Sequence, residues 1–289
     1  MAPTYLDTLA AFTSFLTAYT HTLLYLRALY PRSSFAHSRF HNTSVHQSRH
    51  PLVCDWIRDA IAAVREELLA GTVSRIGIVI FWLGDGSSSH GHTDGGGAGS
   101  PQIMERYMLD VSAFPVVEKG ERNMEIEWDD AASADGHDGG AADGRRKGKE
   151  PALDADVDVN LSEQFRAAFI TLTTRSSQLA PLPANCSFNI SMELKDEADV
   201  DPPIGHPQPW IPVQPSLQKT GRKGGIQANQ DAAKRGDKIR EGQDLGGVRV
   251  TPMRTVEVGV FRFETWVEEG KAKFELDQTS KGSFASSGG

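Results

Sequence analysis

The residues best suited by type to hold a metal are His90, His92 and Asp94, in the string His90-Gly91-His92-Thr93-Asp94. Imidazole and carboxylate together suit zinc or a similar divalent ion, but such ligands need outer hydrogen-bond partners to fix their orientation. Residues 84–100 are almost entirely Gly, Ser, His and Asp, so a solvated loop is the better reading. Glycines at 95–97 and 99 raise the thought of a phosphate loop, yet they lack a strand before and a helix after. No G-x-x-x-x-G-K-[ST] or G-x-S-x-G string occurs anywhere. Cys54 and Cys186 make neither a disulfide framework nor a metal cluster and read as two reduced thiols. Carboxylates that could pair for acid–base work fall mostly between 118 and 158, outside any regular pattern. The expectation is a binding protein with no catalytic residues, cofactor or metal.

Charge narrows the partners. The 289 residues carry a formal net charge of −8, so the chain as a whole is no tight electrostatic binder of DNA. Most of that charge is local: residues 118–158 hold 13 acidic and 6 basic side chains, a net of −7. Basic strings at Arg145-Arg146-Lys147-Gly148-Lys149 and Arg222-Lys223 read as solvated linker charge. Thr8 to Leu26 is free of Lys, Arg, Asp and Glu, but Asp7 stands where a signal peptide needs basic residues. The many Thr and Ser positions also argue against a membrane span. A soluble, intracellular chain is expected, with no membrane partner. The glycosylation-type strings at Asn42, Asn160, Asn185 and Asn189 are then chance matches.

The elements that would position any site follow from periodicity. Leu9, Phe12, Leu16, Tyr19, Leu23, Leu26 and Tyr30 are spaced 3, 4, 3, 4, 3, 4, one apolar stripe of a long central helix closed by Pro31. Residues 32–50 read as loop or short hairpin. A second helix starts at Pro51 and stops at Gly71, with Trp56 and Ile57 on its apolar face. The run from Ile76 to Leu83 predicts a strand buried on both faces. Its return strand sets Ile103, Glu105, Tyr107, Leu109 and Val111 on one face. Asn160 with Glu163 predicts a capping box opening a third helix. Phe188, Ile190, Met192 and Leu194 alternate as a strand, and final strands run from Val248 towards Val267. Composition predicts disorder at about 84–100, 118–157 and 216–247 and a disordered tail at 271–289. The result is a single α+β domain over 1–270, three helices on an antiparallel sheet.

Trp210 lies in a Pro-rich stretch between flexible segments. Such a ring docks on the core or meets a partner, and the same choice holds for Trp56.

Several strings in order resemble the HORMA-domain family, and within it the accessory subunits of DNA polymerase zeta. They are Leu24-Tyr25-Leu26-Arg27-Ala28-Leu29-Tyr30-Pro31, His50-Pro51 with Trp56-Ile57, and Gln164-Phe165-Arg166-Ala167-Ala168-Phe169-Ile170. Cys186-Ser187-Phe188, Pro209-Trp210-Ile211, Arg249 to Thr255 and Trp266-Val267-Glu268-Glu269 complete the set, which spans 5–269. The resemblance implies a C-terminal arm that closes like a safety belt over a short Pro-containing peptide of the polymerase zeta catalytic subunit. Trp56, Pro209, Trp210 and Ile211 would bind that peptide. It further implies that Val250, Glu264 and Trp266 receive the C-terminal domain of a Y-family scaffold polymerase, where the family prefers an amide and a tyrosine at the last two positions. Arg166 on the third helix would centre a homodimer contact, with Ala28 standing where the family has a supporting acidic residue. The function implied is a nuclear, non-catalytic adaptor in translesion DNA synthesis. A spindle-checkpoint HORMA protein and an enzyme with a polar enclosed pocket are the alternatives.

Overall fold

In the computed structural model, residues 3–84, 102–126, 153–195, 249–258 and 260–276 are described. Helix α1 (Tyr5–Leu26) leads to a two-stranded hairpin, β1 (Phe35–Phe40) and β2 (Thr43–Ser48), and then to α2 (Pro51–Ala70). Strands β3 (Val73–Trp82) and β4 (Gln102–Asp110), helix α3 (Leu153–Gln178), and strands β5 (Cys186–Leu194), β6 (Arg249–Val258) and β7 (Phe261–Glu269) follow. The five longer strands form one antiparallel sheet in the order β5-β3-β4-β7-β6.

Helix α1 is central because its apolar residues leave no polar side free along most of its length. Leu9, Phe12, Phe15, Leu16, Tyr19, Leu23 and Leu24 are all buried. Phe15 stacks on Phe165 of α3 with ring centres 4.5 Å apart, and Phe12 meets Phe263 of β7 edge-on at 5.2 Å. Thr4 and Asp7 cap its start reciprocally. No helix of the described residues is long and apolar enough to cross a membrane.

Its end differs from the expectation that Pro31 closes it. The helix stops at Leu26, and Ala28 takes a left-handed φ of 53°. The Ala28 N–H donates to the Tyr25 carbonyl and the Leu29 N–H to the Leu24 carbonyl, the paired closure usually built around glycine. Tyr30 therefore lies beyond the helix. Helix α2 starts at Pro51 and stops at left-handed Gly71 (φ 76°), both as the sequence predicts. The stretch 32–50 is a hairpin, turned by His41 and Asn42, both at positive φ, as a two-residue turn requires.

Four other expectations are corrected. Strand β3 is covered by helices on one face only: Ile76, Ile78 and Ile80 are buried, whereas Val79 and Phe81 on the opposite face are half-exposed. Helix α3 begins at Leu153, so Asn160 lies within it and caps nothing. The disorder expected from Glu118 does not begin there. Arg122 donates to the Leu69 carbonyl at the end of α2, its own carbonyl accepts from Leu6, and Glu125 bridges to Thr4. Likewise the expected tail disorder does not begin at 271, because 271–276 form a helical turn with Lys273 buried. The remainder of the stretches expected to be disordered, and the His90–Asp94 string, lie outside the described residues.

Candidate functional site

Strand β5 pairs with β3 on one side, and among the described residues nothing pairs with its other side. A free edge is a row of unpaired N–H and C=O groups, a ready template for one more strand. Beside it stands an aromatic group. Trp56 of α2 meets Phe188 of β5 edge-on, ring centres 5.1 Å apart, and Tyr30 meets the same Phe188 at 6.5 Å. Leu52, one turn before Trp56 on α2, is 72% exposed, the most exposed large apolar side chain among the described residues. Backbone groups seeking partners thus adjoin a half-buried apolar surface. Pro209, Trp210 and Ile211, expected to share this site, lie outside the described residues.

The uncovered face of the sheet carries a second group. Val250 of β6 is opposite Glu268 of β7, Pro252 opposite Trp266, and Thr255 opposite Glu264, so Val250, Glu264 and Trp266 share one face. The Trp266 indole N–H donates to Glu268 (2.8 Å), which Arg106 also grips through two nitrogens at 2.9 and 2.7 Å. The guanidinium of Arg75 lies 6.0 Å from the Trp266 ring centre and is held by Asp110 at 3.0 Å and Glu193 at 2.9 Å. Burial alone would push the Asp110 carboxyl up; hydrogen bonds from Ser112 and Arg75 outweigh it and keep the group below its usual range. Trp266 is therefore a half-exposed ring in a fixed frame of charges. Arg166 stands apart from both groups, exposed on α3 with Ile170, 53% exposed, one turn on.

An ion cluster that the sequence reading did not find anchors the C-terminal strands. Glu105 of β4 is fully buried on the helix side of the sheet. Arg27, the C-cap of α1, donates to it through Nε (2.9 Å) and Nη2 (2.7 Å), and also donates to the carbonyls of Ser176 and Ala180. Lys273 reaches the same carboxylate and also binds Glu269 at 2.6 Å. Burial pushes the neighbouring Tyr107 hydroxyl well above its usual range, and Glu105, which accepts its hydrogen bond, adds to that. Only Glu105 itself was a signal, a carboxylate within an otherwise apolar face.

Neither thiol is set up for chemistry. Cys186 is pushed up to about 11 by burial, with Glu105 adding to the effect, and Cys54 is raised by burial and then by Asp55. Among the described residues no group of three or more His, Cys, Asp or Glu could hold a metal ion.

Three helices on an antiparallel sheet, with a C-terminal hairpin on one side of β4 and a bare strand at the far edge, define the class. The chain belongs to the HORMA-domain family, whose profile matches residues 8–212. It is 25% identical over 263 residues to the DNA polymerase zeta processivity subunit of Schizosaccharomyces pombe, covering 89% of this chain and 91% of that one. Among solved structures, a chain of the mitotic checkpoint complex superposes with a TM-score of 0.54 at 12% identity, covering 91% of this chain and 98% of the other. Caenorhabditis elegans HTP-2 bound to the HIM-3 closure motif gives 0.49 at 10% identity, covering 93% and 92%. At these identities the likeness concerns the fold.

Proposed function

We propose that this chain is a non-catalytic accessory subunit of DNA polymerase zeta that captures a peptide of the catalytic subunit at the free edge of β5. The observation that carries the reading is the juxtaposition of that edge with Trp56 and Phe188. A peptide added there gains backbone hydrogen bonds from the strand and buries apolar side chains against the aromatic group. The segment containing Pro209, Trp210 and Ile211 closes over it as the belt. The likeness to the fission-yeast processivity subunit supports polymerase zeta as the assembly.

The face bearing Val250, Glu264 and Trp266 then receives the C-terminal domain of a Y-family polymerase, so the chain bridges two polymerases during bypass of damaged DNA in the nucleus. Its separation from the β5 edge by two intervening strands, β3 and β4, lets both partners bind at once. Arg166 and Ile170 offer a third contact, between two copies. Co-expression with the polymerase zeta catalytic subunit tests the assignment: a complex stable through gel filtration is expected. Stable assembly with a checkpoint protein instead would overturn it.

A further inference from the structure

The hairpin β1–β2 carries a charge pattern unlike the rest of this acidic chain. From Thr8 to Cys54 there is no Asp, Glu or Lys, yet the stretch holds Arg27, Arg32, Arg39 and Arg49 and five of the nine histidines. Arg27 is consumed by Glu105 in the interior. The other three arginines are exposed, and among the described residues none has a carboxylate partner. His37 and Arg39 alternate on one face of β1, opposite His46 and Ser44 of β2, and the His37 Nε2 lies 2.7 Å from the Ser44 hydroxyl.

The base of the hairpin is rigid. His46 stacks flat on Tyr25 of α1, ring centres 3.5 Å apart and planes 5° apart, while the Arg32 guanidinium lies 5.5 Å from the centre of the same ring. His37 meets His46 edge-on at 5.7 Å. Arg49 follows β2 directly, and its N–H donates to the Ser34 carbonyl at the hairpin's base. The cations are thus fixed to a framework in place of floating on a linker.

We propose that this face of the hairpin binds the phosphodiester backbone of nucleic acid. Unneutralised arginines with neighbouring hydroxyl and imidazole donors are the groups that contact phosphates, and their attraction is independent of base sequence. Tyr25 already has His46 stacked on its ring and Arg32 beside it, so it is not free to stack a base. A protein partner is disfavoured by what the face lacks: none of the exposed large apolar side chains among the described residues lies between Arg32 and His50, and protein interfaces centre on such anchors. Binding is weak and salt-sensitive, because the net charge of −8 opposes it. In a subunit that travels with a polymerase, three phosphate contacts add to those of the larger assembly.

The test is anisotropy of a fluorescent 20-base-pair duplex titrated with the full chain at several salt concentrations. Replacing Arg32, Arg39 and Arg49 by Gln together is expected to lower affinity tenfold or more at low salt. The salt dependence should flatten by about 2.7, since each phosphate contact contributes about 0.9 to the slope. The triple change to Lys keeps the charge and should restore most of the binding. If the glutamine variant loses its circular dichroism spectrum, Arg39→Glu alone, at an exposed position near the turn end of β1, serves instead, with several-fold loss expected. Unchanged duplex affinity in a folded variant overturns the proposal. So does loss only when the 145–149 basic string is changed, or equal affinity for a poly-glutamate peptide.

Discussion

Arg27 and Glu105, 78 residues apart in the chain, meet in the interior through two parallel hydrogen bonds of 2.9 and 2.7 Å. The pair joins the end of α1 to the middle of the sheet. Lys273 joins the same carboxylate from beyond β7, so one buried anion ties the first helix to the helical turn at 271–276. Breaking a buried pair by removing one member leaves the other charge stranded, at a cost of about 3–5 kcal/mol. Glu105→Ala should show that loss in urea unfolding, with early protection loss in 261–276 by hydrogen exchange. A change under 1 kcal/mol would mean that the cluster is solvated.

Ala28 occupies a left-handed position at the end of α1, where a Cβ costs roughly 1–2 kcal/mol. Glycine removes that strain but costs about 0.4–1 kcal/mol through the greater freedom of its unfolded chain. Ala28→Gly should therefore stabilise by about 0.5–1 kcal/mol, raising the melting temperature by about 2 °C. Calorimetry showing a lower melting temperature would contradict the geometry.

His21 is buried on α1, and its Nδ1 accepts from the Ser48 N–H of the hairpin (3.4 Å). Burial holds its pKa below the usual imidazole value. Because the unfolded chain gains a proton near pH 6.5 that the folded chain refuses, stability is intact above that pH and falls as pH drops below it. The limit is about 1.4 kcal/mol per pH unit. His46, lowered by burial and then by His37 and Arg32, acts in the same direction. His21→Asn should flatten the fall in unfolding free energy between pH 7.5 and 5.5 relative to the native chain. An identical slope would show that His21 titrates normally.

Trp266 stands in a frame of Arg75, Glu268 and Arg106 on the bare face of the sheet. Trp266→Ala should weaken binding of the C-terminal domain of a Y-family polymerase by about 2–4 kcal/mol. The same variant should hold the catalytic-subunit peptide normally in a parallel titration. Loss of both would couple the two surfaces or show that β7 has come loose.

Much of this architecture was legible from period alone. Helices α1 and α2, the Glu105–Leu109 part of β4 and strand β5 carry their face patterns openly, and Pro51 and Gly71 mark the ends of α2. Ile103, expected on the face of Glu105, pairs instead with Phe81 across a register shift. What was not legible is what depends on distant residues. Glu105 announced a buried anion, but nothing local pointed to Arg27 or Lys273. The same holds for 118–126, whose acidic composition suggested a solvated chain until Arg122 found the end of α2. The single-sided burial of β3 escaped because half-exposed Val79 and Phe81 have the same composition as a two-sided core strand. Trp56 stood out by type, whereas its partner Phe188 and the free edge emerge only from the strand order.

That edge carries the functional account, and Trp56 is the residue whose removal probes it. Truncating a central aromatic at an interface typically costs about 2–4 kcal/mol, a loss of roughly 30- to 1,000-fold in affinity. Trp56 is half-buried on a long helix whose Ile57, Ile61, Val64 and Leu68 still pack, so the fold should survive the change. The decisive measurement is a titration of Trp56→Ala with a Pro-containing peptide of the polymerase zeta catalytic subunit, with circular dichroism as the control. The account predicts no capture at micromolar concentrations by a folded variant; native affinity in that variant would contradict it.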